Sequence, residues 1–338
     1  MTIEHALRRV LAAYPPDCQP HEADDLASAG GFSGARLWRL HAPRGMLCLR
    51  RWPAEQSPSQ LEFIQAVLWH VVQEGFSLAP LPLETRTLAG YVEEAGRLWE
   101  VTPWMPGKAD YRQAPSPARL RAAMHALAAF HLAAASFPHA EHSPAVPPGI
   151  VHRRARLRAW SAEKRARLGA AIPRGGSPEL AERAGALLPL FDRALSRVAE
   201  TLASAERLTA PLQPCIRDIW HDHVLYLGQR VSGLIDFGAL RVDSVAADVA
   251  RLCGSLCGDD SEAWLAALQA YDELRRLSEE EALLVTAYDR ANVLLSGMNW
   301  LDWIYLRGRV FERHEAVCQR LDENLQRLTR LADACGSP

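Results

Sequence analysis

A Pro106-Gly107 break divides this 338-residue chain into two stretches with different hydrophobic periods, and that division limits the architecture more than any other feature. Upstream, residues 35–40, 46–52, 87–94 and 97–104 form short apolar runs separated by turn residues such as Pro43-Arg44-Gly45, which is the signature of strands. One helix interrupts them. Ser57 is placed to cap it, Pro58 suits its first position, and Gln60 sits where a capping box wants it. Leu61, Ile64, Leu68, Val71 and Val72 then share one face until Gly75. Downstream the pattern turns helical, with starts at Ser116-Pro117, Ser177-Pro178 and Ser278 with Glu281, apart from a compact β segment between Gln213 and Phe237. The order predicts an α+β protein: a β-rich lobe over residues 1–105, a larger helical lobe over 106–338, and a ligand in the cleft.

Charge and composition narrow the function. A formal net charge of -2 argues against nucleic acid as a partner, because phosphate backbones require basic patches. No apolar run approaches the roughly 18–20 residues of a membrane span, and the first residues carry no signal-like apolar block, so no membrane partner is expected. Seven cysteines, odd in number and set in apolar segments, fit a reducing, cytoplasmic setting. Of 38 basic residues only Lys108 and Lys164 are lysines. Schiff-base and amine-nucleophile chemistry is thereby disfavoured, since a guanidinium stays protonated.

The chemistry concentrates in Cys215-Ile-Arg-Asp-Ile-Trp-His-Asp-His-Val-Leu-Tyr226, a turn at Gly228, and Val231-Ser-Gly-Leu-Ile-Asp-Phe-Gly238. Asp218 and His223 lie upstream and Asp236 lies at the end of the second apolar run. Phosphoryl transfer needs such a set: one carboxylate for the attacking hydroxyl's proton and separate ligands for a divalent cation on the nucleotide phosphates. A metallohydrolase site built from His221, Asp222, His223, Asp218 and Asp236 is a second use of the same residues.

This segment resembles the catalytic loop and metal-binding strand of the kinase-fold small-molecule phosphotransferases, the aminoglycoside phosphotransferase, choline kinase and homoserine kinase group. Their pattern runs His-Gly-Asp-x-x-x-x-Asn, then Ile-Asp-Phe, then a later aspartate. Here Asp218, Ile235-Asp236-Phe237 and Asp248 match it in order. Two positions depart: Ile216-Arg217 stands for His-Gly, and His223 stands for the asparagine. The resemblance implies a two-lobed protein-kinase-like fold and transfer of the ATP γ-phosphate to a small-molecule hydroxyl. Asp218 is then the catalytic base or orienter, with Arg217 and Asp248 supporting its loop. Asp236 and His223 become ligands for Mg2+, or for Mn2+ given the imidazole. The altered loop also keeps open a nucleotide-binding module with little or no catalysis.

The same resemblance places the glycine-rich turn Gly30, Gly31, Ser33 and Gly34 over the phosphates, where an ordinary hairpin turn is the plain alternative. It puts Arg50 where the family carries a phosphate-contacting lysine, with Glu62 of the following helix as the expected partner. The segment with Thr102, Trp104 and Met105 would lend backbone groups to the adenine. Trp300 and Trp303, three apart, are either core or the aromatic walls of an acceptor pocket with Asp302 at its rim, suited to a cationic amine. His131 reads as a buried, satisfied histidine, and the arginine run 153–167 as a solvated helix face. The acceptor's identity and the oligomeric state are not legible.

Overall fold

The computed structural model describes residues 3–27, 34–138, 143–311 and 313–336. The chain divides into two compact units, Met1–Phe137 with His221–Arg241, and Pro138–Trp220 with Val242–Pro338.

The first unit runs α1 (Ile3–Ala12), β1 (Glu22–Asp25), β2 (Arg36–Ala42), β3 (Gly45–Arg51), α2 (Pro58–Gln73), β4 (Val92–Glu94), β5 (Arg97–Pro103) and α3 (Pro117–Ala134). The strands form one antiparallel sheet in the order β1-β2-β3-β5-β4. Because successive strand side chains point to opposite faces, the alternation sorts the residues. Trp38, Leu40, Leu47, Leu49, Trp99 and Val101 bury against Val10, Leu11 and Tyr14, and Trp38 stacks on Trp99 at 5.4 Å. The register sets Cys48 opposite Thr102 and Arg50 opposite Glu100, so those four share the other face.

Helix α2 starts as expected, with Ser57 Oγ accepting the Gln60 amide at 3.2 Å. The Gln60 side chain instead donates to the Leu240 carbonyl at 2.9 Å, so only half of a capping box forms. The strand expected over 87–94 shrinks to Val92–Glu94. Thr85 Oγ1 accepts the amides of Thr87 and Ala89 at 3.3 and 3.0 Å, folding that stretch into a side-chain-closed turn.

A hairpin of Val224–Leu227 and Arg230–Leu234 completes this unit. Lys108 and Tyr226 exchange main-chain hydrogen bonds of 3.1 and 2.9 Å, and α3 packs against both α2 and the strand Arg230–Leu234. By compactness α3 and the hairpin group with the sheet, and the first stretch of that unit runs to Phe137.

In the second unit, Glu279–Leu301 packs between Pro178–Ala205 and Ala246–Cys257, with His314–Gly336 alongside. The capping box of Ser278 and Glu281 is fully formed. The arginine run differs from a uniform solvated face. It breaks into Pro148–Ala159 and Ala162–Ala171. Arg153 turns inward, donating to Asn292 Oδ1 at 2.9 and 3.1 Å and lying 4.5 Å from the Tyr288 ring centre. Among the described residues, no helix is long and apolar enough to cross a membrane.

Candidate functional site

In the first unit the site is built on β3 and the hairpin. Strand Arg230–Leu234 is tied at its end by the Leu234 amide to the Leu78 carbonyl (2.8 Å), and the next amide, Ile235, donates to the His223 carbonyl (3.0 Å). The chain then turns through Asp236 at φ +64°, a left-handed conformation that costs a non-glycine residue about 1–2 kcal/mol. That turn aims the half-buried Asp236 carboxylate at two cationic or potentially cationic groups. Arg50 Nη1 donates to Oδ1 at 3.0 Å, and His223 Nε2 lies 3.6 Å from Oδ2. Burial pushes the Asp236 pKa up, but the facing Arg50 and His223 outweigh it and hold the carboxyl below its ordinary value. Burial likewise lowers Arg50, whereas Asp236 and Glu100 together raise it, leaving the guanidinium firmly charged. Its plane also lies 4.7 Å from the Trp52 ring centre.

Glu62 is not Arg50's partner in this arrangement. It is exposed on α2 and accepts the Tyr91 hydroxyl at 2.9 Å, while Arg50 pairs with Asp236. Helix phase explains the difference. Leu61, Ile64, Gln65 and Leu68 mark the buried face of α2, and position 62 is rotated away from it.

Thr102 ends up opposite Cys48, and the Trp104 amide donates to the Met46 carbonyl at 2.9 Å, with Arg39 lying 5.1 Å from the Trp104 ring centre. Met105 lies against Gly233. The break that follows is pinned to the hairpin: Ser232 Oγ donates to the Pro106 carbonyl at 2.5 Å, and Gly107 has φ +103°. A Cβ at Gly107 would come within 2.6 Å of the Tyr226 carbonyl oxygen, so both space and backbone conformation demand glycine there. Gly30, Gly31 and Ser33 lie outside the described residues; Gly34 is exposed with φ +85°. His221 and His223 occupy a short 3-10 turn, and His221 Nε2 lies 3.3 Å from Asp222 Oδ1.

In the second unit the loop after Gln213–Cys215 is held by two buried aspartates. Asp248, fully buried at the start of Ala246–Cys257, accepts the Ile216 amide at 2.7 Å and the Arg217 amide at 2.5 Å. Asp243, also fully buried, accepts from the Gly149 amide (3.2 Å), the Ser244 amide (3.0 Å) and the Tyr288 hydroxyl (2.7 Å), and its Oδ2 lies 3.3 Å from Arg217 Nη1. These bonds force Arg217 to φ +68° and leave the next residue, Asp218, half-exposed with Arg251 donating to its Oδ1 at 3.1 Å. Beside Arg217, Asp218 and Asp248, which the sequence pattern names, the structure places Asp243, Arg251 and Tyr288, which it does not. An acid flanked by Val242 and Ser244-Val245 just before the helix at Ala246 was the available signal for Asp243.

Arg217 stands where the resembling family carries glycine, and its positive φ shows why glycine is at home there. Replacing it sets two effects against each other. Arg217→Gly relieves about 1–2 kcal/mol of left-handed strain but deprives a fully buried carboxylate of its cation, which costs about 3–5 kcal/mol. The second effect wins, so denaturant unfolding of Arg217→Gly should show a net loss of about 1–4 kcal/mol. A variant as stable as wild type or more so would show that the Arg217–Asp243 contact contributes nothing.

Asp302 is not a free carboxylate at a pocket rim. It is buried at the start of a π-turn, and Lys164 Nζ (2.8 Å) and Arg307 Nε (2.6 Å) already neutralise it. Burial raises its pKa, but those two cations outweigh it and bring the net shift downward. Trp300 and Trp303 meet edge-to-face at 5.2 Å and pack on Phe311, and Arg309 rather than open space lies against Trp303 and Phe311. His131 is fully buried beside Phe130, as expected.

Comparison with known proteins bears on these two groups of residues together. Homoserine kinase from Bradyrhizobium diazoefficiens is 27% identical over 286 residues, covering 78% of this chain and 75% of that protein. Homoserine kinase from Sinorhizobium medicae is 26% identical over 315 residues, covering 89% and 85%. Among solved structures, a spectinomycin phosphotransferase in complex with ADP and spectinomycin superposes with TM-score 0.70 at 10% identity, covering 99% and 98%. A microcompartment-associated aminopropanol kinase gives 0.64 at 14% identity, covering 98% of each chain. At those identities the structural likeness shows the kinase-like α+β fold alone. The model of the phosphotransferase enzyme family matches residues 25–284, a span that takes in Arg50, Asp218, Asp236 and Asp248, and the chain belongs to that family.

Proposed function

We propose that this phosphotransferase transfers the ATP γ-phosphate to the hydroxyl of a small amine-bearing acceptor, a hydroxy amino acid or amino alcohol, with Asp218 receiving or orienting the hydroxyl proton. The observation that carries this reading is the Arg50–Asp236 pair. It places a forked, permanently charged donor beside an ionised carboxylate, in a chain of this family. The homoserine kinase relatives support the acceptor class.

Asp236 Oδ2 and His223 Nε2 fit a divalent cation. Donors each about 2.0–2.3 Å from one ion lie about 3–4 Å apart, and these two are 3.6 Å apart. One oxygen and one imidazole nitrogen suit Mn2+ better than Mg2+, which prefers an all-oxygen set. When bound, such a cation would offset phosphate charge during transfer. Arg50 keeps its remaining N–H groups for phosphate oxygens. The acceptor oxygen forms its bond to the γ-phosphorus as the bond to the β,γ-bridging oxygen breaks, and ADP leaves with that oxygen. Pro106-Gly107 is the proposed hinge between a nucleotide lobe over 1–105 and a catalytic lobe over 106–338. The free thiols, Cys18, Cys215 and Cys253 among them fully buried, support a cytoplasmic setting.

ADP release measured with Mg2+ or Mn2+ across hydroxy amino acids, amino alcohols, sugars and aminoglycosides tests the reading. Stimulation by a hydroxy amino acid or amino alcohol is expected, and stimulation confined to sugars or aminoglycosides would overturn the acceptor class. Arg50→Ala should weaken nucleotide affinity at least about tenfold. Arg50→Lys keeps the charge without the fork and should retain most of it. Equal affinity in wild type and Arg50→Ala would remove Arg50 from the phosphate site.

A further inference from the structure

Arg50 has a second acid beside it that does not come from α2. Glu100 sits on β5, directly opposite Arg50 of β3, and is only 7% exposed. Its carboxylate is held from the helix side: Gln65 Nε2, itself on the buried face of α2, donates to Glu100 Oε2 at 3.0 Å and to the Gly90 carbonyl at 3.0 Å. Gly90 is part of the arrangement, since a Cβ there would fall 2.1 Å from Gln65 Oε1. A buried carboxylate with only an amide donor would be costly, and the cation across the strand pair offsets that cost. Burial raises the Glu100 pKa, and Arg50 and then the Gln65 amide draw it back only in part, so it stays above its ordinary value.

We propose that Glu100, anchored by Gln65, is the positioning residue for Arg50, taking the part expected of an acid on α2. This rests on Arg50 contacting the nucleotide phosphates. The arrangement has a consequence for regulation. In protein kinases the corresponding acid rides on a helix, and moving that helix controls the ion pair. Here acid and cation sit on neighbouring strands joined by main-chain hydrogen bonds, so their register is set by the sheet and α2 reaches Glu100 through Gln65.

A double-mutant cycle on the full chain tests this, reading the affinity for a non-hydrolysable ATP analogue by calorimetry and the unfolding midpoint without nucleotide. Glu100→Gln, nearly isosteric, should weaken analogue binding about tenfold. The same substitution in an Arg50→Ala background should cost no further affinity, because Glu100 acts only through Arg50. It should also raise that variant's unfolding midpoint by removing an unpaired buried carboxylate. Unchanged affinity in Glu100→Gln would overturn the proposal, as would an equal loss in both backgrounds, which is the mark of a merely structural role. If Arg50→Ala alone leaves affinity unchanged, the phosphate role of Arg50 fails and this proposal falls with it. Should Glu100→Gln not fold, Gln65→Met, which frees Glu100 from its anchor, takes its place in the same cycle with a smaller loss expected in the wild-type background only.

Discussion

Asp218→Asn is expected to fold normally and to turn over ATP about 100- to 10,000-fold more slowly than wild type, the usual contribution of a positioned acid–base group. The Asp218 side chain is 51% exposed, and its ion pair with Arg251 is exposed as well. Such pairs are worth about 0–1 kcal/mol, so the unfolding midpoint should move by no more than about 2–4 °C. The loss is chemical. An amide at this position still orients a hydroxyl by hydrogen bonding but cannot take its proton. Metal-dependent ADP release, measured for both proteins under saturating nucleotide, decides the matter: equal rates would remove Asp218 from the reaction.

Asp248→Ala is expected to fail differently, losing both stability and activity. The carboxylate accepts two consecutive backbone amides of the loop, one on each oxygen. Each buried donor left without a partner costs about 1–3 kcal/mol, so denaturant unfolding should report a loss of about 2–6 kcal/mol. Asp248→Asn recovers only one of the two bonds, because its amide nitrogen would face an N–H group, and should fall between wild type and alanine. Hydrogen exchange gives the local readout: the Ile216 and Arg217 amides should lose protection in the variant. Wild-type stability and protection in Asp248→Ala would show that the loop is held by something else.

Both expectations concern residues whose order along the chain was legible before their geometry was. The helix starts at Ser57, Ser116, Ser177 and Ser278 were readable because capping is local: each serine accepts an amide three residues on. Strand pairing from Arg36 to Arg51 was equally local, with a two-residue turn fixing the register. The stretch 87–94 misled because alternation in sequence could not reveal Thr85 closing a turn with its hydroxyl. Arg50's partner was misjudged for another reason. Glu62 has the right residue type, whereas burial is decided by helix phase. The polar residue that breaks the apolar stripe of α2, Gln65, was the better pointer to the site.

The two constellations also show where a sequence pattern stops short of chemistry. The pattern marked Asp302 as an acid beside two tryptophans, but it could not show that Lys164, 138 positions away, already neutralises it. Here half of the chain's scarce lysine is spent on a buried ion pair. For Arg217 the pattern showed only a departure from glycine, while the structure shows the positive φ and the Asp243 contact that accompany it.

The sequence by itself determined the α+β order, the positions of most helix starts, and the identity and succession of Asp218, Asp236 and Asp248, because propensity, capping and side-chain chemistry act over a few residues. Only the tertiary structure decided partnership. Arg50 reaches an aspartate 186 positions away and faces a glutamate across a strand pair, instead of the nearer acid on the next helix. The reason is physical: a charge that is taken out of water must pair with whichever opposite charge shares its burial, and which charge that is depends on register and helix phase rather than on distance along the chain.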